Sequence, residues 1–398
     1  MGIASKINNK IAHFSPLRMA TLYISMLFPK DEKLFLFGSW FGTKYADNAK
    51  YLYEYIINNR KDIRPVWMTS DDSVFEELHK RGLPVCKSGT FKGFQYAIHA
   101  GAVFYCTHNQ EDIGIWESHF IGRAISMNLW HGIPLKKIMY DDEYNNLRDH
   151  PVKNAIRDAI LSIPLKNSYL CSSSPAITEI YQRAFQMVKA HILEAGQPRN
   201  DYFILPHSNS LRSRYPNCKI IVYLPTHRNE GKTKIDFDMI FELADLNHML
   251  EENGAVLVIK KHPYHRNDPR LGSDYSRIVE LTEENFDTQE LLDAADILVT
   301  DYSSCYIDYL FLDRPIIFYA YDYEKYMETD RQLYFDYDYA TPGPKCKNYD
   351  EFRSELIMIL DGEDNYKDKR TEIGKLFYGN NIGTLSSPRV IEAIDEKR

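Results

Sequence analysis

The sequence predicts an α/β protein built as two doubly wound, Rossmann-like domains. Short apolar runs rich in β-branched and aromatic residues alternate with helical stretches, which indicates a parallel sheet wrapped by helices. The alternation stops at a polar segment and then starts again. The chain's 398 residues are enough for roughly two domains of about 150–200 residues, each able to bury a sizeable core.

The first series of strands reads LFLFGSW from Leu34, RPVWMTS from Arg64, GAVFYCTH from Gly101, AISMNLWHG from Ala124 and SYLCSSS from Ser168. The second reads KIIVYLPTHR from Lys219, AVLVIKKHP from Ala255, ADILVTDYSS from Ala295 and PIIFYAYD from Pro315. The join falls near HSNSLRSRYPN, His207 to Asn217. The expected division is a leading segment over 1–30, a first domain over 31–210 and a second over 211–398, with the last helix able to return to the first domain.

Composition narrows the function classes. Lys plus Arg number 48 against 56 Asp plus Glu, a formal charge of −8, which disfavours a nucleic-acid binder because displacing phosphate counterions needs a basic field. At 44% hydrophobic and 26% charged residues, the composition is globular rather than disordered or collagenous. No apolar run approaches the roughly 20 residues that cross a bilayer. Cys86, Cys106, Cys171, Cys218, Cys305 and Cys346 lie far apart, so neither a zinc ribbon nor a disulfide framework is indicated, and reduced thiols of a cytoplasmic protein are expected. Against the acidic total, the first segment carries Lys6, Lys10, Arg18 and Lys30 and no acid. Ile3, Ile7, Ile11 and Phe14 recur there at helical spacing, which describes an amphipathic helix for an anionic membrane surface or for packing on the protein itself. Met19 to Phe28 runs into Pro-Lys-Asp-Glu without a small-residue cleavage site, so secretory processing is not expected.

Ligands of open α/β sheets sit beyond the carboxyl ends of the strands, and four strand ends carry chemistry. After Thr300 and Asp301, a helix is expected to open at Ser303 and Ser304; its free N–H groups suit an anion, with Asp308 one turn on, although an ordinary N-cap reads the same way. Lys260, Lys261 and His262 end another strand and could hold a pyrophosphate or protonate a leaving phosphate, or be a surface basic pair beside an incidental His. Thr226, His227 and Arg228 reach the same sheet edge, and Arg228 could fork onto phosphate oxygens. In the first domain, Trp130, His131 and Gly132 precede Lys136 and Lys137. His131 is a candidate general base, Gly132 permits close backbone approach, and the alternative is a structural His packed beside Trp130. A base in one domain and phosphate-binding groups in the other, brought to one cleft, would assemble a transferase.

These motifs resemble the CDP-glycerol glycerophosphotransferases, bacterial enzymes that prime or polymerise wall teichoic acids and related capsular polymers. The matching segments are FGSWFGTKYADNAKYLYEYI, NLWHGIPLKKI, GQPRNDYF, YLPTHR, KHP, DTQELLDAADILVTDYSSCYIDYLFLDRPIIFYAYDYEKY and LSSPRVIEAI, in the family's order from about Phe37 to Ile394. WHGIPLKK, GQPRND and TDYSS with its following Asp and Pro are jointly specific. The resemblance implies a GT-B-type architecture with the nucleotide held mainly by the second domain. It implies His131 as general base, His262 and Asp301 as further catalytic residues, and Thr226, Arg228, Ser303 and Ser304 around the donor phosphates. Arg199, Asn200 and Asp201 match a further family motif, and Lys136 is assigned to the acceptor channel. His227 and Cys305 depart from the usual pattern without replacing a group that has a role. The long amino-terminal portions of many polymerases in the family are absent, which argues against processive polymerisation.

The implied reaction is attack by an acceptor hydroxyl on the glycerol-bearing phosphorus of CDP-glycerol, releasing CMP, with alignment and charge stabilisation as the main contributions. The implied acceptor is a polyprenyl-diphosphate-linked glycan or a chain ending in glycerol phosphate, at the cytoplasmic face of the membrane. No acid cluster has metal-ligand spacing, so no metal or other cofactor is expected. A CDP-ribitol donor, a nucleotide-sugar glycosyltransferase or epimerase, and a non-catalytic scaffold of the same fold are the competing readings.

Overall fold

The computed structural model describes residues 15–107, 110–143, 156, 159–228, 233–261, 265, 271, 274–281, 286–329 and 332–398. The chain forms two compact units. The first comprises Met1–His131, Asn145–Asp201 and Thr384–Arg398, and the second Gly132–Tyr144 and Tyr202–Gly383.

The sheet of the first unit contains β1 (Asp31–Phe37), β2 (Arg64–Thr69), β3 (Val85–Lys87), β4 (Ala100–Tyr105), β5 (Ile125–Asn128), β6 (Ser168–Ser172) and β7 (Ile192–Glu194), in the order β3-β2-β1-β4-β5-β6-β7. Every pairing is parallel. Side chains alternate across a strand, and β1 divides them accordingly. Phe35 and Phe37 join Trp67, Phe104 and Met127 in one core, while Leu34 and Leu36 join Val66, Met68 and Val103 in another. Both faces are therefore apolar, as a parallel sheet flanked by helices requires. The helix Asp47–Asn59 supplies Leu52, Tyr53 and Ile56 to the first core, and the carboxyl-terminal helix Ser387–Asp395 supplies Val390, Ile391 and Ile394 to the same core.

In the second unit, β8 (Lys219–Leu224), β9 (Ala255–Ile259), β10 (Ile278–Glu280), β11 (Ile297–Thr300), β12 (Ile316–Tyr319) and β13 (Lys345–Cys346) are ordered β10-β9-β8-β11-β12-β13, again all parallel. Ile221, Leu257, Val299 and Ile317 face a core closed by the helices Leu243–Glu252 and Tyr349–Leu360. In each unit the first-to-second step runs outward and a later strand crosses to the other side of β1 or β8. The reversal leaves a crevice at the carboxyl ends of β1 and β4, and of β8 and β11.

The expected α/β class and the parallel sheets are present, and all nine anticipated strands form. The four strands not anticipated, β3, β7, β10 and β13, are the two edges of each sheet. No helix among the described residues is long and apolar enough to cross a membrane. The basic and apolar positions from Ile3 to Phe14 lie outside the described residues, as does His262.

Candidate active site

In the first unit, His131 lies beyond β5 on a backbone bent out of the strand. Trp130 adopts φ 53, and Gly132 follows at φ 128, where a side chain is strained. The left-handed conformation of Trp130 costs about 1–2 kcal/mol, and strain of this kind persists only where surrounding contacts hold it. The imidazole packs against two indoles, with ring centroids 4.3 Å away at Trp130 and 5.6 Å away at Trp40. Its Nδ1 lies 2.8 Å from the Cys106 carbonyl oxygen. A carbonyl only accepts, so Nδ1 carries a proton, and in the neutral ring the lone pair is on Nε2. That is the tautomer a general base needs.

Trp40 belongs to a second strained turn, in which Trp40, Phe41 and Gly42 have φ of 48, 57 and 73 in succession. Buried Asp112 fixes it. One carboxylate oxygen accepts the Phe41 N–H at 2.7 Å, and the other accepts the N–H groups of Cys106 and Thr107 at 2.8 and 2.9 Å. The same carboxylate thus ties the end of β4, whose Cys106 carbonyl orients His131, to the loop that carries Trp40. Trp40 Nε1 donates to Asp47 at 2.5 Å, and Asp47 pairs with Arg199 at 2.9 Å. Burial raises the Cys106 thiol well above its ordinary range, which leaves it inert as a nucleophile.

The GQPRND segment lies in the same unit. Gly196 sits at φ +93 with its α-carbon face against the Ser386 hydroxyl, where a Cβ would be 2.4 Å away. Buried Asp201 accepts the backbone N–H groups of Ser386 and Ser387 at 2.6 and 2.8 Å and so caps the carboxyl-terminal helix. Burial pushes its carboxyl up despite those bonds. Asp201 therefore joins two of the sequence motifs, GQPRND and LSSPR.

In the second unit, the ends of β8 and β11 are joined by Asp301, which is 0% exposed. Its carboxylate accepts the Thr226 hydroxyl at 2.6 Å, the Thr226 N–H at 2.9 Å, the Tyr302 N–H at 2.6 Å and Arg228 Nη2 at 2.8 Å. Arg228, 6% exposed, also reaches Asp322 through Nε at 2.7 Å and the Thr226 carbonyl at 2.6 Å. Burial opposes its charge, but Asp301 and Asp322 outweigh burial and hold the guanidinium protonated. Tyr302, Tyr321 and Tyr326 surround it at 5.0, 5.5 and 5.2 Å, within cation–π range. The guanidinium expected to fork onto phosphate is thus engaged by two carboxylates, and it builds the strand ends from beneath.

Ser303 and Ser304 are half-buried, and the helix after them runs only from Cys305 to Tyr309. Ser303 Oγ accepts the Cys305 N–H at 3.3 Å. Asp308 is buried and accepts the Tyr378 hydroxyl at 3.3 Å. Lys261 turns inward to Glu280 at 3.3 Å, and Lys260 donates to the Phe286 carbonyl at 2.6 Å. Lys136 pairs with Leu333 in an antiparallel bridge, its ammonium 5.0 Å from the Tyr326 ring. That ring stacks on Tyr302 at 3.7 Å, so Lys136 stands beside the Arg228 network. Among the described residues, no group of three or more His, Cys, Asp or Glu could hold a metal ion.

Sequence reasoning missed Trp40, Asp47, Asn48, Asp112, His265, Tyr302 and Asp322. Trp40, Asp47 and Asn48 stand within the FGSWFGTKYADNAK segment already singled out, and Tyr302 and Asp322 within the long TDYSS stretch. His265, whose Nε2 accepts the Arg228 N–H at 3.3 Å, had no signal beyond its nearness to KHP.

The profile of the family described as CDP-glycerol:poly(glycerophosphate) glycerophosphotransferase matches residues 20–396. The teichoic acid poly(glycerol phosphate) polymerase of Bacillus spizizenii is 29% identical over 354 residues, covering 86% of this chain and 86% of its own. The teichoic acid glycerol-phosphate transferase of Staphylococcus aureus is 29% identical over 379 residues, covering 92% of this chain and 93% of its own. A solved structure of the wall teichoic acid polymerase TagF matches with a TM-score of 0.73 at 23% identity, over 98% of this chain and 96% of that one. At that identity the likeness establishes the shared GT-B-type fold.

Proposed function

The chain belongs to the CDP-glycerol:poly(glycerophosphate) glycerophosphotransferase family, and from that membership we propose that it extends a teichoic acid by one glycerol phosphate at a time. An acceptor hydroxyl attacks the glycerol-bearing phosphorus of CDP-glycerol. The new O–P bond forms as the bond to the CMP oxygen breaks; CMP leaves with the electron pair, and the hydroxyl proton passes to His131 Nε2. The single observation that supports this role most strongly is the 2.8 Å contact of His131 Nδ1 with the Cys106 carbonyl, since it leaves Nε2 as the acceptor.

The donor phosphates are assigned to the β8 and β11 ends, where Ser303 and Ser304 supply hydroxyl donors, while Lys136, beside the Arg228 network, is kept for the acceptor channel; His262, the remaining donor-side assignment, lies outside the described residues. Thr226, Arg228 and Asp301 shape that surface. Charge stabilisation there lowers the barrier more than any covalent step by the protein. Incubation with CDP-glycerol or CDP-ribitol and a synthetic lipid-linked disaccharide tests the reading by product mass. Addition of glycerol phosphate is expected; ribitol phosphate as the sole addition would overturn the donor assignment.

The acceptor is read as lipid-linked, and the enzyme as peripheral at the cytoplasmic membrane face. The helix Ser15–Ser25 and the residues after it leave Ile24 52% and Leu27 83% exposed, and Ile163 is 54% exposed. Tyr23 bonds the Ile160 carbonyl at 2.9 Å, which ties the segment that carries Ile163 to this helix. Arg123, whose guanidinium meets the Met26 carbonyl at 3.4 Å, puts positive charge beside them, as an anionic interface favours. Leu27→Asp should weaken co-sedimentation with anionic vesicles by at least about tenfold, because one inserted Leu contributes about 1.5–3 kcal/mol. Unchanged binding would remove this surface from the account.

A further inference from the structure

We propose that Asn48, together with Arg199, is a positioning residue that holds the loop carrying His131; the inference rests on the reading of His131 as the base. Three consecutive carbonyls of that loop are gripped by side chains from elsewhere in the first unit. Asn48 Nδ2 donates to Leu129 O at 3.1 Å and to Trp130 O at 2.9 Å, and Arg199 Nη1 donates to His131 O at 2.9 Å. The Trp130 N–H is taken by Asn128 Oδ1 at 2.9 Å. The strained Trp130 turn is therefore tied at each end of its peptide units, and the imidazole it presents inherits that placement.

The clamp is itself closed. Asn48 is 0% exposed; its Nδ2 also faces Gln197 Oε1 at 2.8 Å, so its two hydrogens are shared among three acceptor oxygens, and its Oδ1 accepts the Arg199 N–H at 3.0 Å. The amide can point only one way, because a flipped oxygen would face three acceptor oxygens. Arg199 Nη1 bonds Asp47 at 2.9 Å as well as His131 O, and Asp47 in turn holds the Trp40 indole that flanks the imidazole. The two indoles beside the ring and the backbone that carries it thus depend on two neighbouring residues, Asp47 and Asn48, at the start of one helix and on the GQPRND segment. Asn48 and Arg199 act through His131, and neither is assigned a contact with substrate.

The test is a cycle of Asn48→Ala and Arg199→Lys, each made in the wild-type and the His131→Ala backgrounds, with kcat and KM for CDP-glycerol measured beside the melting transition. In the wild-type background, kcat should fall about 10²-fold, the cost of a misplaced reacting group, with KM changed less than about twofold. In the His131→Ala background neither substitution should reduce the residual CMP release further, since residues that act as one unit are not additive. Losses that multiply in that background, or a KM that rises in step with the fall in kcat, would overturn the inference. Wild-type turnover by both variants would overturn it as well. Arg199→Lys preserves charge and most of the packing, so it carries the test if Asn48→Ala does not fold. Retained turnover by His131→Ala alone would mark failure of the base assignment and is read separately.

Discussion

His131→Ala should lower kcat for CMP release by about 10³-fold or more, within the 10²–10⁴ range of a positioned proton acceptor, while the Kd for CDP-glycerol changes less than about twofold. The separation of the two effects follows from placement. His131 belongs to the first unit, and its ring contacts are Trp40, Trp130 and the Cys106 carbonyl. The groups assigned to the donor phosphates stand on the second unit. Under the proposed assignment, removing the imidazole deletes no contact to the donor phosphates. Single-turnover kinetics with radiolabelled donor, paired with equilibrium dialysis, measures both quantities. Retained turnover would eliminate His131 as the base.

Arg228→Ala should have the largest effect on stability. The guanidinium is buried with Asp301 at 2.8 Å and Asp322 at 2.7 Å, and removing one partner of a buried pair typically costs about 3–5 kcal/mol because the remaining charge is left uncompensated. Here two carboxylates would be stranded, and Asp301 would still have to organise Thr226 and Tyr302. For a unit of this size the loss corresponds to a melting temperature lower by about 10 °C. CDP-glycerol binding should be lost with it, because the ends of β8 and β11 are built on this pair. Arg228→Lys should restore only part of the stability, since an ammonium is a point charge that cannot fork to two carboxylates or stack on Tyr302 and Tyr326. Scanning calorimetry on the two variants decides it. A Tm within about 2 °C of wild type for Arg228→Ala would show that the network is not structural.

The strands that could be read from the sequence were those whose apolar runs are covered on both faces, such as Leu34 to Phe37 and Ile297 to Thr300. The edge strands could not be. Val85–Lys87, Ile192–Glu194, Ile278–Glu280 and Lys345–Cys346 are two or three residues long, too short to show a period, and short edges are how sheets avoid pairing with other chains. The site residues show the same division. His131, Asp301 and Arg228 stood out as polar groups at strand ends. That Arg228 is engaged by Asp301 and Asp322 was not legible, because those partners lie 73 and 94 positions away. Asn48 was invisible for the same reason: its bonds to Leu129 and Trp130 span 81 and 82 positions. Lys261 read as a strand-end cation and instead faces Glu280, since position on a strand fixes the side a residue takes only once the register is known.

The most direct test of the central claim is the fate of the donor's phosphates. With CDP-glycerol and a lipid-linked acceptor, ³¹P NMR of the products should show CMP and one new phosphodiester in equal amounts, with no CDP. Release of CDP, or consumption of the donor without a new phosphodiester, would contradict transfer at the glycerol-bearing phosphorus.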